Sequence, residues 1–397
     1  MVLKAFKLRL YPNKTQRNQI HVNFGCARFV WNQMLNMHIE RYKNNKKAKF
    51  QGRYSMDVML KALKIEYPWL KQAESTSLQR VNRDLDDAFQ RFFNPDLQNG
   101  FPRFKSKKNT NQSYTSKFVN NNIRIVDEHH IKLPKLGLVY FKFGRILNGK
   151  IRAVTVRVNS RKQYQASILV ESENQTFKKT KKSVEIDLGL KSLTVTSDGQ
   201  KEDILKVDDR LNKQLRIWER KKSRRYENAK KAMAFDEHDK VLFPRTDLKQ
   251  FPRYQQAVRT VAKLKKHIAE RRRDNLHKLT TRLVKDYDTI VVENLSVKNM
   301  MKNHHLSASI ANASWGTLIS QLKYKCAWYG KRLIIIDPKN TSRICHECKQ
   351  KNHEFDSLSQ SEWLAAREWD CPNCHAHLDR DVNAAKNILA KGLETLS

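Results

Sequence analysis

Val184-Glu185-Ile186-Asp187-Leu188-Gly189 sets an aspartate in a mostly apolar run that stops at a glycine. The run reads as a strand, and residues 193–196 read as its hairpin partner, ending at Asp198-Gly199. Two long basic helical stretches follow, at about 209–234 and 254–285. They lead to Thr289-Ile290-Val291-Val292-Glu293, a second short buried strand that also ends on an acid. A helix is expected at about 315–329, with Trp315, Leu318, Ile319, Leu322 and Cys326 on one face. A third apolar strand follows at 333–336. Strand, helix, strand with a short connection predicts a right-handed parallel crossover, so the C-terminal half is α/β.

The N-terminal portion is mixed. Residues 4–12 alternate basic and apolar side chains and stop at Pro12, the pattern of a half-buried strand. After Thr15, Ile20, Phe24, Ala27, Trp31 and Leu35 share one helical face, and Leu78, Val81, Leu85 and Phe89 share another over 77–93. Residues 151–158 and 164–170 alternate again and predict a hairpin. The polar, lysine-rich stretch 173–183 reads as a linker. An N-terminal module over 1–177 and a C-terminal domain over 178–397 are therefore expected.

Lysine and arginine number 78 against 40 acids in 397 residues, a formal net charge of +38. Such an excess calls for a polyanionic partner, and nucleic acid gains affinity from counterion release as its phosphates are neutralised. No apolar run approaches the roughly 18 residues of a membrane span, and the start has no signal-peptide core. The expectation is a soluble, cytoplasmic, nucleoid-associated protein with no membrane partner, acting as a monomer. No G-x-x-x-x-G-K-[ST] loop and no nucleophilic triad is present, which argues against an ATP-driven motor.

Three acids carry the chemical reading. Asp187 and Glu293 lie in or at the end of buried strands, and Asp381 opens a small-residue helix in Asp379-Arg380-Asp381-Val382-Asn383-Ala384-Ala385. A charge there costs desolvation unless something pairs with it. Two Mg²⁺ or Mn²⁺ ions about 4 Å apart, held by carboxylates from different elements, would supply the pairing. They stabilise the attacking and leaving oxygens of phosphodiester hydrolysis. The plain alternatives are a turn residue at Asp187 and a helix cap at Asp381. Glu293 is the hardest to explain that way, because glutamate is a poor cap and poor in buried strands.

Of six cysteines, Cys26 and Cys326 stand alone in apolar, helix-like settings and read as buried thiols. The other four form Cys345-His346-Glu347-Cys348 and Cys371-Pro372-Asn373-Cys374, with 22 residues between the pairs. Two such knuckles complete a tetrahedral, structural Zn²⁺ site with no position left for water. His375 and His377 are substitute ligands that a full set of thiolates makes unnecessary.

Ile186-Asp187-Leu188-Gly189, Val292-Glu293-Asn294-Leu295, the two cysteine pairs and the 379–385 motif together resemble the TnpB family. These are RNA-guided nucleases encoded by insertion sequences and related to the compact type V CRISPR effectors. Leu10-Tyr11-Pro12, Ala27-Arg28-Phe29-Val30-Trp31-Asn32, Gly100-Phe101-Pro102-Arg103-Phe104-Lys105 and Ser314-Trp315-Gly316 agree with it. The resemblance implies an α/β RuvC-like domain of RNase H fold, with a zinc finger inserted at about 340–378. It also implies a mixed N-terminal module that joins a β-barrel wedge to a helical recognition lobe. Asp187, Glu293 and Asp381 would be catalytic metal ligands, with Asp379 a neighbour. The partners implied are a guide RNA from the transposon end and target double-stranded DNA, cut beside a short flanking motif.

By the same analogy Gln79 and Asn120-Asn121-Asn122 would read that motif, an amide side chain being suited to adenine. Guide pairing leaves the protein to hold the heteroduplex backbone. Lys221, Lys222, Arg224 and Arg225, and Arg271, Arg272 and Arg273, are the candidates on the two basic helices. The rivals are a strand-transferring transposase and a nuclease-inactive, RNA-guided DNA-binding regulator. The second should have lost an acid, and all three are present.

Overall fold

The computed structural model describes residues 1–97, 99–109, 111–142, 147–159, 162–189, 192–203, 209–231, 248, 250–303, 307–337, 343–357, 362 and 368–395. The expected helix end at 232–234 and parts of the 340–378 segment lie outside them. The chain divides into two compact units, Met1–Glu173 and Asn174–Ser397.

The first unit runs β1 (Val2–Leu10), α1 (Lys14–Asn44), α2 (Arg53–Glu66), α3 (Ser75–Phe93), β2 (Gln112–Lys117), β3 (Arg124–Ile125), β4 (His130–Leu133), β5 (Gly137–Lys142), β6 (Lys150–Val158) and β7 (Tyr164–Ser172). Its strands form one antiparallel sheet in the order β2-β6-β7-β1-β5-β4-β3. Pro12 ends the pairing of β1, and Asn13 caps α1 through a reciprocal pair of bonds with Gln16. The Gln16 amide also donates to the carbonyls of Leu136 and Leu138, which pins the helix start beside β5. Ile20, Phe24, Ala27, Trp31 and Leu35 are all buried, as their spacing predicts. α2 is not among the elements expected from the sequence. It buries only Met56, Leu60 and Leu63, and Gly52 at its start offers no side-chain cap.

The second unit carries β8 (Ser183–Asp187), β9 (Ser192–Thr196), β10 (Lys201–Asp203), α4 (Asp209–Lys231), α5 (Pro252–Asp286), β11 (Thr289–Glu293), α6 (Val297–Met300), α7 (Ser307–Ala313), α8 (Trp315–Tyr329), β12 (Arg332–Ile336), β13 (Glu368–Asp370), β14 (His377–Asp379) and α9 (Arg380–Glu394). Five strands are ordered β10-β9-β8-β11-β12. β8, β11 and β12 are parallel, and β9 and β10 add antiparallel hairpin strands at one edge.

Alternation along the parallel strands sorts their side chains onto two faces. Val184, Ile186, Ile290 and Val292 pack with Leu276, Leu279 and Leu283 of α5 and Trp315, Leu318 and Leu322 of α8. Val291 faces the other way and packs with Ile388 of α9. Gly392 makes that approach possible, since a Cβ there would lie 2.7 Å from a Val291 methyl.

Residues 173–183 are less of a free linker than their composition suggests. Phe177 stacks on Tyr329 with ring centroids 4.0 Å apart, and the Asp288 carboxylate accepts the backbone N–H groups of Thr180 and Lys181. Asp288 also pairs with Lys331, whose side chain is 1 % exposed. The lysines of the segment remain outside while its backbone is tied down, and Ser183 already belongs to β8.

Candidate active site and zinc centre

β8 and β11 run side by side in parallel register, with Val292 opposite Ile186. Their C-terminal residues, Asp187 and Glu293, therefore finish on adjoining strands and point to the face that α9 covers. α9 packs on β8 and β11 and carries Asp381 in its first turn. A ligand crevice beyond the carboxyl ends of parallel strands is the general expectation for open α/β sheets.

The helix cap is supplied by Asp379, whose carboxylate accepts the backbone N–H groups of Asp381 and Val382 at 2.9 Å. Asp381 has instead the buried Arg380 as neighbour, with the guanidinium 2.9 Å from its oxygen.

Burial sets the electrostatics of these acids. Asp187 is pushed up to about 6 by desolvation and by the Asp381 charge, with Leu188 and Arg380 pulling back. Glu293 is pushed up to about 7 by desolvation and by Asp187. Each raised value records a charge held away from water beside a like charge, and a bound cation reverses both effects.

Glu185 is not among the acids expected from the sequence to take part in the site. It is fully buried on β8, and desolvation together with the charges of Asp187 and Glu293 pushes it up to about 10. Neither carboxylate oxygen has a hydrogen-bond partner among the described residues. In a half-buried strand an acid beside apolar neighbours reads as the solvent-facing alternate. The signal that could have found it is its spacing from Asp187: two residues apart in a strand means one shared face.

The described carboxylates do not close into a ligand cage. Among the described residues the four cysteines are the one group of three or more His, Cys, Asp or Glu whose donor atoms gather for a metal, all within 4.8 Å of one another. The Sγ atoms of Cys345 and Cys374 are 3.6 Å apart, as are those of Cys348 and Cys371. A disulfide would need about 2.05 Å, whereas tetrahedral zinc with bonds of about 2.3 Å spaces its sulfurs by roughly 3.8 Å. The donor set thus fits one Zn²⁺.

Two matching knuckles build this four-sulfur site. The N–H of Lys349 donates to the Cys345 carbonyl, and that of His375 to the Cys371 carbonyl. Lys349 and His375 follow the second cysteine of each pair in left-handed conformation, with φ of 62° and 58°. His375 is thereby a turn residue, and His377 on β14 pairs with Asp370 and Glu368. The first knuckle is clasped to α9. Asn383 accepts the His346 N–H and donates to the Ile344 carbonyl, both at 2.8 Å, and Asn387 donates to the same carbonyl at 2.6 Å.

The nucleic-acid candidates divide by what their side chains already do. Gln79 is exposed on α3, which packs on β2. Asn120 and Asn121 are exposed in a left-handed turn after β2, with φ of 47° and 57°. Asn122 folds that turn, accepting the Val119 N–H and donating to the Lys117 carbonyl. On α4, Arg224 is exposed, Lys221 lies over the Trp218 ring and Lys222 is half-buried. Arg225 donates to the Arg253 carbonyl at 2.6 Å and so ties α4 to α5. On α5, Arg271 and Arg273 are exposed, while Arg272 donates to the Ala311 carbonyl. No described helix is long and apolar enough to cross a membrane.

Comparison with known proteins bears on both units. Residues 167–304 match the profile of the IS605 OrfB proteins, described as "Probable transposase". Residues 315–388 match a "Cas12f1-like, TNB domain". Residues 1–47 match a "Helix-turn-helix domain" of the same OrfB group, although here they form β1 and the single long helix α1. A Streptomyces pristinaespiralis protein called "Putative RNA-guided DNA endonuclease" is 33 % identical over 99 % of this chain and 90 % of its own length. "Putative RNA-guided DNA endonuclease InsQ" of Escherichia coli K12 is 30 % identical over 100 % and 94 %. The fold resembles the protein in a cryo-EM structure of a Cas12f1-sgRNA-target DNA complex, with a TM-score of 0.57, 12 % identity and 98 % of both chains covered. With full-length relatives at this level of identity, the chain belongs to the TnpB family of IS605 OrfB proteins.

Proposed function

We propose that this chain is a transposon-encoded, RNA-guided DNA endonuclease that hydrolyses phosphodiester bonds at a divalent-cation site built by Asp187, Glu293 and Asp381. The observation that carries the chemistry is the meeting of Asp187 and Glu293 at the ends of adjoining parallel strands under the helix of Asp381. The five-stranded order, with its antiparallel hairpin edge and three parallel strands, supports a RuvC-like RNase H fold for the second unit. The names of the relatives support the substrate and the guide.

Mg²⁺ or Mn²⁺, when bound, supplies an activated water and neutralises charge on the leaving oxygen. The chain's own residues do the rest. Asp187 and Glu293 present oxygen donors from rigid strands, where their positions are fixed by the ladder. Asp379 holds the first turn of α9, so that Asp381 is presented from a capped helix end. The zinc knuckle, clasped through Asn383 and Asn387, holds the same helix further along. Arg224, Arg271 and Arg273 offer exposed charge to a guide–target backbone. Gln79 and the Asn120-Asn121 turn in the first unit, the wedge and recognition module of this reading, would meet the flanking duplex motif.

Strand transfer is the second reading, favoured by the description of the OrfB profile. Protein purified from cells carrying the native locus separates the two. Bound RNA whose sequence directs cleavage of a matched duplex supports the endonuclease. RNA-free protein that joins DNA strands contradicts it.

A further inference from the structure

Glu185 holds a carboxylate that the fold does not need. It sits mid-strand on β8 in register with Val291, on the face that α9 covers with Ile388. An apolar side chain of similar size would fill that place with no charge to desolvate. Its oxygens are fully buried and meet no donor among the described residues. Arg380 donates to Asp381 and to neither oxygen of Glu185. Strand alternation aims Glu185 along the same face as Asp187, and parallel register sets it one step behind Glu293. A buried carboxylate in such a place is compensated when it pairs or coordinates a metal.

We propose that Glu185 is a fourth carboxylate of the divalent-cation site, giving an oxygen from behind to a cation held by Asp187 and Glu293. The proposal rests on the cation site assigned to those two acids above. Three carboxylates from two neighbouring strands would give a hard oxygen-donor pocket suited to Mg²⁺ or Mn²⁺. The zinc site, with four sulfur donors, stays apart from it in chemistry.

Full-length, zinc-loaded protein freed of other divalent ions is titrated with Mn²⁺ alone, and free Mn²⁺ is followed by its EPR signal. Wild type, E185Q and D187N are compared. The expected result is weaker Mn²⁺ binding in both variants, by about 10- to 100-fold in E185Q, with Zn²⁺ content unchanged. Wild-type affinity in E185Q beside lost affinity in D187N overturns the role of Glu185 and leaves the cation site standing. Wild-type affinity in both overturns the cation site and this proposal with it. Should E185Q fold poorly, Mn²⁺ anomalous scattering from wild-type crystals decides. A peak within about 2.3 Å of a Glu185 oxygen supports the proposal, and a peak coordinated without Glu185 overturns it.

Discussion

The Asp379 carboxylate accepts the backbone N–H of Asp381 at 2.9 Å, so the two aspartates of one short motif have separate duties. Asp379 closes the helix end, and Asp381 is left to act through its side chain beside Arg380 and Asp187. Asp379→Ala should therefore cost about 1 kcal/mol of stability, as loss of an N-cap does, and retain most cleavage. Asp381→Asn should keep the melting temperature within a few degrees and reduce cleavage by at least about 100-fold, which is about 2.7 kcal/mol in the barrier. Thermal melts and single-turnover rates on both variants test this division. Equal loss of activity with equal loss of stability would contradict it.

The clasp between the zinc knuckle and α9 predicts that zinc and Asp381 are mechanically linked. Asn383→Ala leaves the His346 N–H without its acceptor, and a buried group left unpaired costs about 1–3 kcal/mol. The four thiolates are untouched, so zinc stoichiometry should stay at one while cleavage falls. Cys371→Ser should lose the metal itself. Atomic absorption beside cleavage rates distinguishes the two, and full activity in zinc-free protein would exclude the link.

Asp288 predicts a pH-dependent contribution to stability. Burial alone would raise its carboxyl, but the Lys331 ammonium and the N–H groups of Thr180 and Lys181 outweigh it and hold the value below the usual range. A carboxylate depressed in the folded state stabilises above the unfolded value, about 3.9, and loses that contribution as pH falls through the folded value. Asp288→Ala should cost about 3 kcal/mol at pH 7, because the buried Lys331 loses its counter-charge and keeps only its bond to the Lys178 carbonyl. The difference from wild type should shrink as pH is lowered below about 4. Denaturant melts at a series of pH values provide the check, and a pH-independent difference would refute the assignment.

The basic and amide candidates should differ in kind. Gln79→Ala is expected to relax discrimination for one base pair of the flanking motif by about 1–3 kcal/mol, with stability unchanged because the side chain is exposed. Arg224→Ala, Arg271→Ala and Arg273→Ala should weaken binding for every sequence alike and lower the salt slope by about one each. Arg225→Ala should show up in the melting temperature, since that guanidinium bonds the Arg253 carbonyl. Binding measured across salt concentrations on matched and altered duplexes sorts them.

Much of this was legible in the chain because period and spacing carry it. Apolar alternation located β1, β6 and β7, short apolar runs located β8 and β11, and the 3.6-residue stripe located α1, α3 and α8. The two Cys-x-x-Cys pairs specified a four-sulfur centre, and the donor atoms do gather. What escaped depended on tertiary context. α2 is the exception, since Met56, Met59, Leu60 and Leu63 stand at helical spacing, and only a side-chain cap at Gly52 is lacking to mark its start. The capping by Asp379 turns on which of two nearby aspartates meets free N–H groups, a matter of backbone path. Glu185 resembles any solvent-facing strand residue until α9 is laid across it. Arg225 and Arg272 look like phosphate ligands in sequence, and only the fold shows their bonds to backbone carbonyls.

The proposed function stands on Asp187 and Glu293 holding the cation used to cut DNA under RNA guidance. The most direct measurement is cleavage of a guide-matched duplex in Mg²⁺ by wild type, Asp187→Ala and Glu293→Ala, each loaded with the same guide RNA and shown to bind the target. All three should bind the target and wild type alone should cleave it, with no cleavage when the guide is mismatched. Cleavage by either variant at the wild-type rate would contradict it.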